Sequence, residues 1–182
     1  MSTTTPSPSA APELRLHSPA GLQWRFTSHG SLRRLDWNGL SVHLFGGSEL
    51  EGGPHGIWLR RLADDGAQAL ATCPLLGPLS PSTVCIDAQG LRADGRWEAL
   101  HYQLRLQPAH DEAAWFWHLQ VRNTGATPVR LDAVHGLDVG LSPWGAIRTN
   151  EYYVSHYLDH TALPHPQHGA VLRSEEHTSE LQ

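Results

Sequence analysis

Apolar and polar residues alternate with a period of two along most of this chain, in short runs rich in Trp, Val, Leu and Tyr separated by Gly, Asn, Asp and Pro. That is the pattern of half-buried β-strands, not of helices. The first clear unit spans residues 31–46, where two runs, 32–37 and 40–45, flank Asn38-Gly39. This pair tolerates the positive φ of a two-residue hairpin turn. Leu35 and Trp37 fall on one side of the first run and Arg34 and Asp36 on the other, as a sheet with one wet face requires. A Gly-rich break over 46–56 follows, with Gly46-Gly47 and Gly52-Gly53 expected at hairpin tips, and 57–62 reads as a further strand. The Pro-rich stretch 74–81 is predicted to be a loop, because proline supplies no ladder donor. Short strands are expected at 83–87 and 90–92, and three longer ones at 97–107, 113–123 and 129–141. The single predicted helix is short and lies within 151–159. There is no repeat at a fixed period and no heptad pattern.

In the run 113–123, Trp115, Trp117, Leu119 and Val121 share one face while Phe116, His118, Gln120 and Arg122 share the other. Burying an aromatic side chain stabilises by roughly 1.5–3 kcal/mol, so the tryptophans are read as core in preference to a platform for stacking sugars. The pattern predicts an all-β fold, an antiparallel β-sandwich.

Composition narrows the function classes. The 182 residues are 40% hydrophobic and 17% charged, an ordinary globular balance that excludes disorder throughout and suits one domain. The net charge of −5 is spread without long runs of either sign, so there is no basic footprint for nucleic acid or anionic lipid. Two cysteines, Cys73 and Cys85, are too few for a disulfide scaffold and read as small apolar residues in a reducing, cytoplasmic setting. Residues 1–20 open with a Ser/Thr/Pro/Ala-rich stretch that is expected to be a disordered leader and has no signal-peptide pattern. No run of about 18 apolar residues suggests a membrane-spanning helix.

The last ten residues, Arg173-Ser174-Glu175-Glu176-His177-Thr178-Ser179-Glu180-Leu181-Gln182, match what a widely used sequencing adapter encodes in one reading frame. The expectation is a partial sandwich domain over 21–172, with 173–182 an artefact tail and a natural chain that runs on past Leu172. Without that tail the net charge is −3.

The stretch with the densest candidate chemistry is Arg148-Thr149-Asn150-Glu151-Tyr152-Tyr153-Val154-Ser155-His156-Tyr157-Leu158-Asp159-His160-Thr161. Together with Trp115-Phe116-Trp117-His118-Leu119-Gln120-Val121-Arg122-Asn123-Thr124-Gly125 and Leu131-Asp132-Ala133-Val134-His135-Gly136-Leu137-Asp138-Val139-Gly140-Leu141, it resembles the amino-terminal region of glycoside hydrolase family 94, in the branch of the β-1,2-oligoglucan phosphorylases and cyclic β-glucan synthases. The resemblance implies an incomplete supersandwich of the galactose-mutarotase-like kind. It also implies a parent glycoside phosphorylase (glycosyltransferase 36-like), a homodimer, acting on β-glucan oligosaccharide and phosphate, with a C-terminal (α/α) barrel. The catalytic acid would sit in that barrel, so no residue here is assigned a catalytic role and the fragment is expected to be a non-catalytic, carbohydrate-binding or structural piece. Asn150, Glu151, Tyr152, Tyr153, His156 and Asp159 form the candidate substrate-binding or interface set.

The alternative function is a stand-alone sugar-binding or aldose-epimerase-like sandwich. Asp138 with Glu151 as a hydrolytic carboxylate pair is disfavoured, since nothing brings two acids thirteen positions apart to the required spacing of about 5–9.5 Å. The run from His156 to His160 with His165 and His168 lacks a recognisable ligand motif, so no metal and no cofactor is expected. A sandwich with open edges is also expected to associate edge to edge and to be poorly soluble.

Overall fold

The computed structural model describes residues 12–176, apart from the side chains of Glu151 and Tyr152. The chain is an all-β sandwich of antiparallel sheets. β1 (Leu14–His17), β2 (Gln23–Phe26), β3 (Leu32–Trp37), β4 (Leu40–Ser41) and β12 (Ser142–Pro143) form a five-stranded sheet in that order. β5 (Gly56–Leu62) lies between β11 (Leu131–Gly136) and β6 (Ala69–Pro74) in a three-stranded sheet. Facing both is a four-stranded sheet ordered β10 (Trp115–Asn123), β9 (Leu100–Pro108), β8 (Gly90–Trp97), β7 (Thr83–Asp87). A helix, α1 (Trp144–Val154), and a 3-10 turn over Ser155–Tyr157 lead to a hairpin of β13 (Leu158–His165) and β14 (Gly169–Glu176).

The core follows from alternation. In β9, Leu100, Tyr102, Leu104 and Leu106 are buried while the residues between them are more exposed, as period two demands of a strand covered on one face. Leu91 and Leu106 meet Trp24, Phe26, Leu32 and Leu35 of the five-stranded sheet in one cluster. Ala93, Tyr102 and Leu104 meet Ile57, Leu59, Cys73 and Leu75 in another. The four-stranded sheet is thus the common floor under two neighbouring sheets. The core tryptophans expected on β10 pack there: Trp115 and Trp117 border the first cluster, and Trp115 meets Trp24 edge to face with centroids 5.9 Å apart.

The Asn38-Gly39 turn forms as expected, with φ of 48° and 84°. Other expectations change. Within the stretch 1–20, Leu14–His17 pairs with β2 and buries Leu16; residues 1–11 lie outside the described part. The strand predicted over 40–45 stops at Ser41. There the His43 side chain turns inward and its Nδ1 accepts the Leu35 N–H at 3.2 Å, taking the place of a backbone carbonyl in the ladder. The run 129–141 keeps only Leu131–Gly136 as strand. β6 and the hairpin β13–β14 were not foreshadowed, and the helix starts earlier than 151–159. The domain boundary expected after Leu172 falls inside β14, and residues 177–182 of the expected tail lie outside the described part. No helix among the described residues is long and apolar enough to cross a membrane.

Candidate functional site

Two places gather polar chemistry. The first is built by α1, whose ends carry few helix signals: Pro143 at the N-cap makes no side-chain hydrogen bond, and neither end turn holds a complementary charge. Packing holds it instead. Ile147 is fully buried, and one turn earlier Trp144 lies under the Arg34 guanidinium at 4.8 Å, with Arg148 at 5.8 Å from the same ring, a cation–π arrangement. Asn150 departs from helical geometry at φ −135° and ψ 36°, kinking the helix. Beyond the kink, Asn150, Tyr153 and Tyr157 line an open groove of about 310 Å³ with Ser142, Ala146, Val154 and Glu176.

Of the six residues nominated from the sequence, the groove brings together Asn150 and Tyr153. Exposed His156 and Asp159 do not line it. Glu151 and Tyr152 contribute backbone to α1, and their side chains lie outside the described part.

The second place is a buried histidine cluster that sequence reasoning missed. His43 is fully buried and His55 nearly so, at 0% and 7% exposure, and their rings meet edge to face with centroids 4.9 Å apart. His55 Nε2 pairs with Asp138 Oδ1, and Asp138 Oδ2 accepts the Phe45 N–H at 2.8 Å. The His43 tautomer follows from its neighbours. Nδ1 accepts from Leu35 N–H, so Nε2 carries the proton and donates to the Arg33 carbonyl at 3.3 Å. Burial pushes the His43 pKa down, His55 lowers it further, and Asp138 pulls the other way. At the rim, partial desolvation and His55 lower the pKa of His135.

An aspartate that orients one nitrogen of a histidine leaves the other nitrogen as a base, and His55 Nδ1 has no hydrogen-bond partner. It borders a cavity lined by Trp24, Phe26, Trp115, Trp117, His135 and Leu137, among others, of only about 30 Å³. That is the share of a single water molecule in the liquid, against about 300–1,000 Å³ for sites that take small-molecule ligands. That cavity has no room for a substrate, while on another side His55 borders an open pocket of about 230 Å³ with Gly52, Gly53, Trp58 and Leu79, among others. The partners of the His55–Asp138 pair are backbone groups and side chains from three separate segments, so it fastens the fold. Among the described residues no group of three or more His, Cys, Asp or Glu is arranged to hold a metal ion.

With this geometry in place, the comparisons with known proteins decide the family. A family model described as the SOGP N-terminal domain matches residues 25–178, a span that takes in the sandwich from β2 onward, α1 and the hairpin. The chain belongs to the SOGP N-terminal domain family. No curated protein matches it. This corrects the family expected from the stretch 148–161: the match is to the SOGP N-terminal domain and not to a glycoside hydrolase family 94 domain. The function drawn from that resemblance, a carbohydrate-binding fragment of a glycoside phosphorylase, is corrected with it, and so is the alternative of a stand-alone sugar-binding or epimerase-like sandwich. Carbohydrate metabolism and glycosyltransferase activity have no support in the family shown.

Proposed function

We propose that this chain is a docking domain, whose C-terminal elements pack against the polypeptide that follows it in a longer protein. One observation carries the reading: among the described residues the hairpin β13–β14 is a two-stranded sheet of its own, with its side chains turned to solvent. Apart from half-buried Leu158 and Ser174, all its residues are exposed, on both faces. Cross-strand register places Leu163 opposite Val171 on one face and Ala162 opposite Leu172 on the other, so both faces are apolar near the tip. A two-stranded hairpin with no third layer is marginal in water, and apolar side chains on both of its faces suit a ribbon that another surface will enclose.

The surroundings support the same reading. Among the described residues β10 and β11 are edges of their sheets, and Phe116, Val134, Leu137, Tyr153 and Tyr157 are exposed on or near the elements that lead to the hairpin. Unpaired sheet edges are ready to accept further strands. The family description, an N-terminal domain, supplies the kind of partner: a segment tethered in the same polypeptide.

Charged substitutions at the hairpin test the reading. Leu163→Asp with Leu172→Asp leaves the melting temperature of the isolated chain unchanged, because neither side chain is in the core. In the longer protein the pair releases the domain, so limited proteolysis cuts between domains at least about tenfold faster. Unchanged cleavage in the longer protein would contradict docking through the hairpin.

A further inference from the structure

The buried histidines sit where the sandwich is joined to everything after β11. The connector of residues 137–141 and helix α1 touch the sandwich at residues 41–45, besides the Arg34–Trp144 and His55–Asp138 contacts: Gly140 N–H donates to the Val42 carbonyl at 2.9 Å, Ser142 pairs with Ser41, Asp138 takes the Phe45 N–H, and the Trp144 ring lies 6.3 Å from that of His43. A Cβ at Gly140 would lie 2.6 Å from the His43 carbonyl oxygen, so the connector runs directly against the His43 backbone.

We propose that the His43–His55–Asp138 cluster is an acid-released latch that fastens the connector and α1 to the sandwich. The inference stands whether or not the hairpin docks as proposed above. It rests first on hydrogen-bond geometry. His43 Nδ1 is the acceptor for Leu35 N–H, so a proton on Nδ1 turns an acceptor into a donor that faces another donor. The Leu35 N–H is then left without an acceptor in a buried site, where an unmet donor is destabilising.

The second support is a shortage of negative charge. Each element packed around the cluster contributes known groups. β3 presents the Arg33 carbonyl and Asp36, whose carboxylate is already bonded to Arg34. Next to β4, Ser41 Oγ donates to the His43 carbonyl, with Nδ1 3.5 Å away. The segment before β5 brings His55, β11 brings His135, the connector brings Asp138, and α1 brings Trp144 with its two neighbouring guanidinium groups. Three imidazoles share one close carboxylate, Asp138, which is paired with His55. A proton on His43 Nδ1 meets no carboxylate and has only the Ser41 hydroxyl, at 3.5 Å, to turn to.

The direction follows. Burial and His55 place the folded pKa of His43 below its ordinary value of 6.5. The released state binds that proton near the ordinary value, so the latch is fully held above about pH 6.5 and weakens as pH falls below it.

Hydrogen exchange on the 182-residue chain tests the latch. After correction for intrinsic rates, residues 137–157 are expected to open at least about tenfold more often at about pH 5 than at about pH 7.5, while residues 90–108 change little. His43→Asn offers an amide oxygen that cannot be protonated and is expected to flatten this response. Asp138→Asn removes the carboxylate and is expected to loosen the connector already at pH 7.5, whereas His118→Asn, on the outer face of β10, leaves the response intact. A wild-type connector whose opening is the same at both pH values overturns the proposal, and so does a His43→Asn chain that keeps the full response. If His43→Asn does not fold, the His43 ring nitrogens of the wild type decide by NMR. Protonation of His43 coinciding with connector opening supports the latch, and protonation without opening overturns it.

Discussion

Strands β9 and β13 are of similar length, nine and eight residues, yet they live in different surroundings. In β9 every second side chain from Leu100 to Leu106 is buried, all four at 4% exposure or less and Leu104 and Leu106 at zero. In β13 only Leu158 is even half-buried. Both strands satisfy their ladder with a single long antiparallel neighbour or two, so backbone pairing is common to them and side-chain burial is what differs. The lesson is that hydrogen-bonded pairing alone does not make a strand part of a stable core. β9 stabilises the sandwich, whereas β13 and β14 are extended backbone whose apolar side chains still face water, and that is why we read them as a docking element.

Substitutions sharpen the contrast, and the largest effect is expected in the floor of the core. Leu104→Ala should cost about 2–5 kcal/mol in denaturant unfolding, whereas Leu172→Ala, on an exposed residue, should stay within about 0.5 kcal/mol of wild type. Equal losses at the two positions would erase the distinction. Gly140→Ala comes next: the added Cβ meets the His43 backbone carbonyl at 2.6 Å, and overpacking of this kind costs about 1–3 kcal/mol. Exchange protection should fall over residues 137–157 first.

A smaller effect belongs to the ion pair that joins β11 to β5. Arg60 Nε donates to Asp132 Oδ1 at 2.8 Å and its NH2 group to Oδ2 at 2.5 Å, and this hydrogen bonding holds the Asp132 pKa below the ordinary carboxylate value of 3.8. Because the folded pKa is depressed, the stabilisation is present above about pH 4 and is lost as pH falls through the folded value. Asp132→Asn should flatten that acid limb of the stability profile, and a profile unchanged by the substitution would show that the pair contributes nothing. The pair is solvent-exposed, so added salt should weaken it as well.

The legible part of the fold is the part with one-sided burial. Leu32 to Trp37 around the Asn38-Gly39 turn, and the tryptophan face of β10, could be read because period two is written in side chains that choose between core and water. β13, β14 and β6 carry little such alternation, since β13 and β14 are exposed on both faces and β6 buries only Cys73. The candidate site divides the same way. Asn150 and Tyr153 were nominated through a local density of polar groups, and both line one groove. His43, His55 and Asp138 were not found, because the contact joins residues up to 95 positions apart in the chain, and a single histidine in an alternating run carries no sign of where its ring will point. The family was misread from a short polar stretch for a related reason: the match that decides it extends over residues 25–178.

The most direct test is amide hydrogen exchange of residues 158–172, followed in the isolated chain and in a longer protein that carries this domain at its amino terminus. The account predicts that these amides exchange far faster than those of β8 and β9 in the isolated chain and become protected by at least about a hundredfold in the longer protein. Fast exchange persisting in the longer protein would contradict it, and so would protection in the isolated chain equal to that of the core strands.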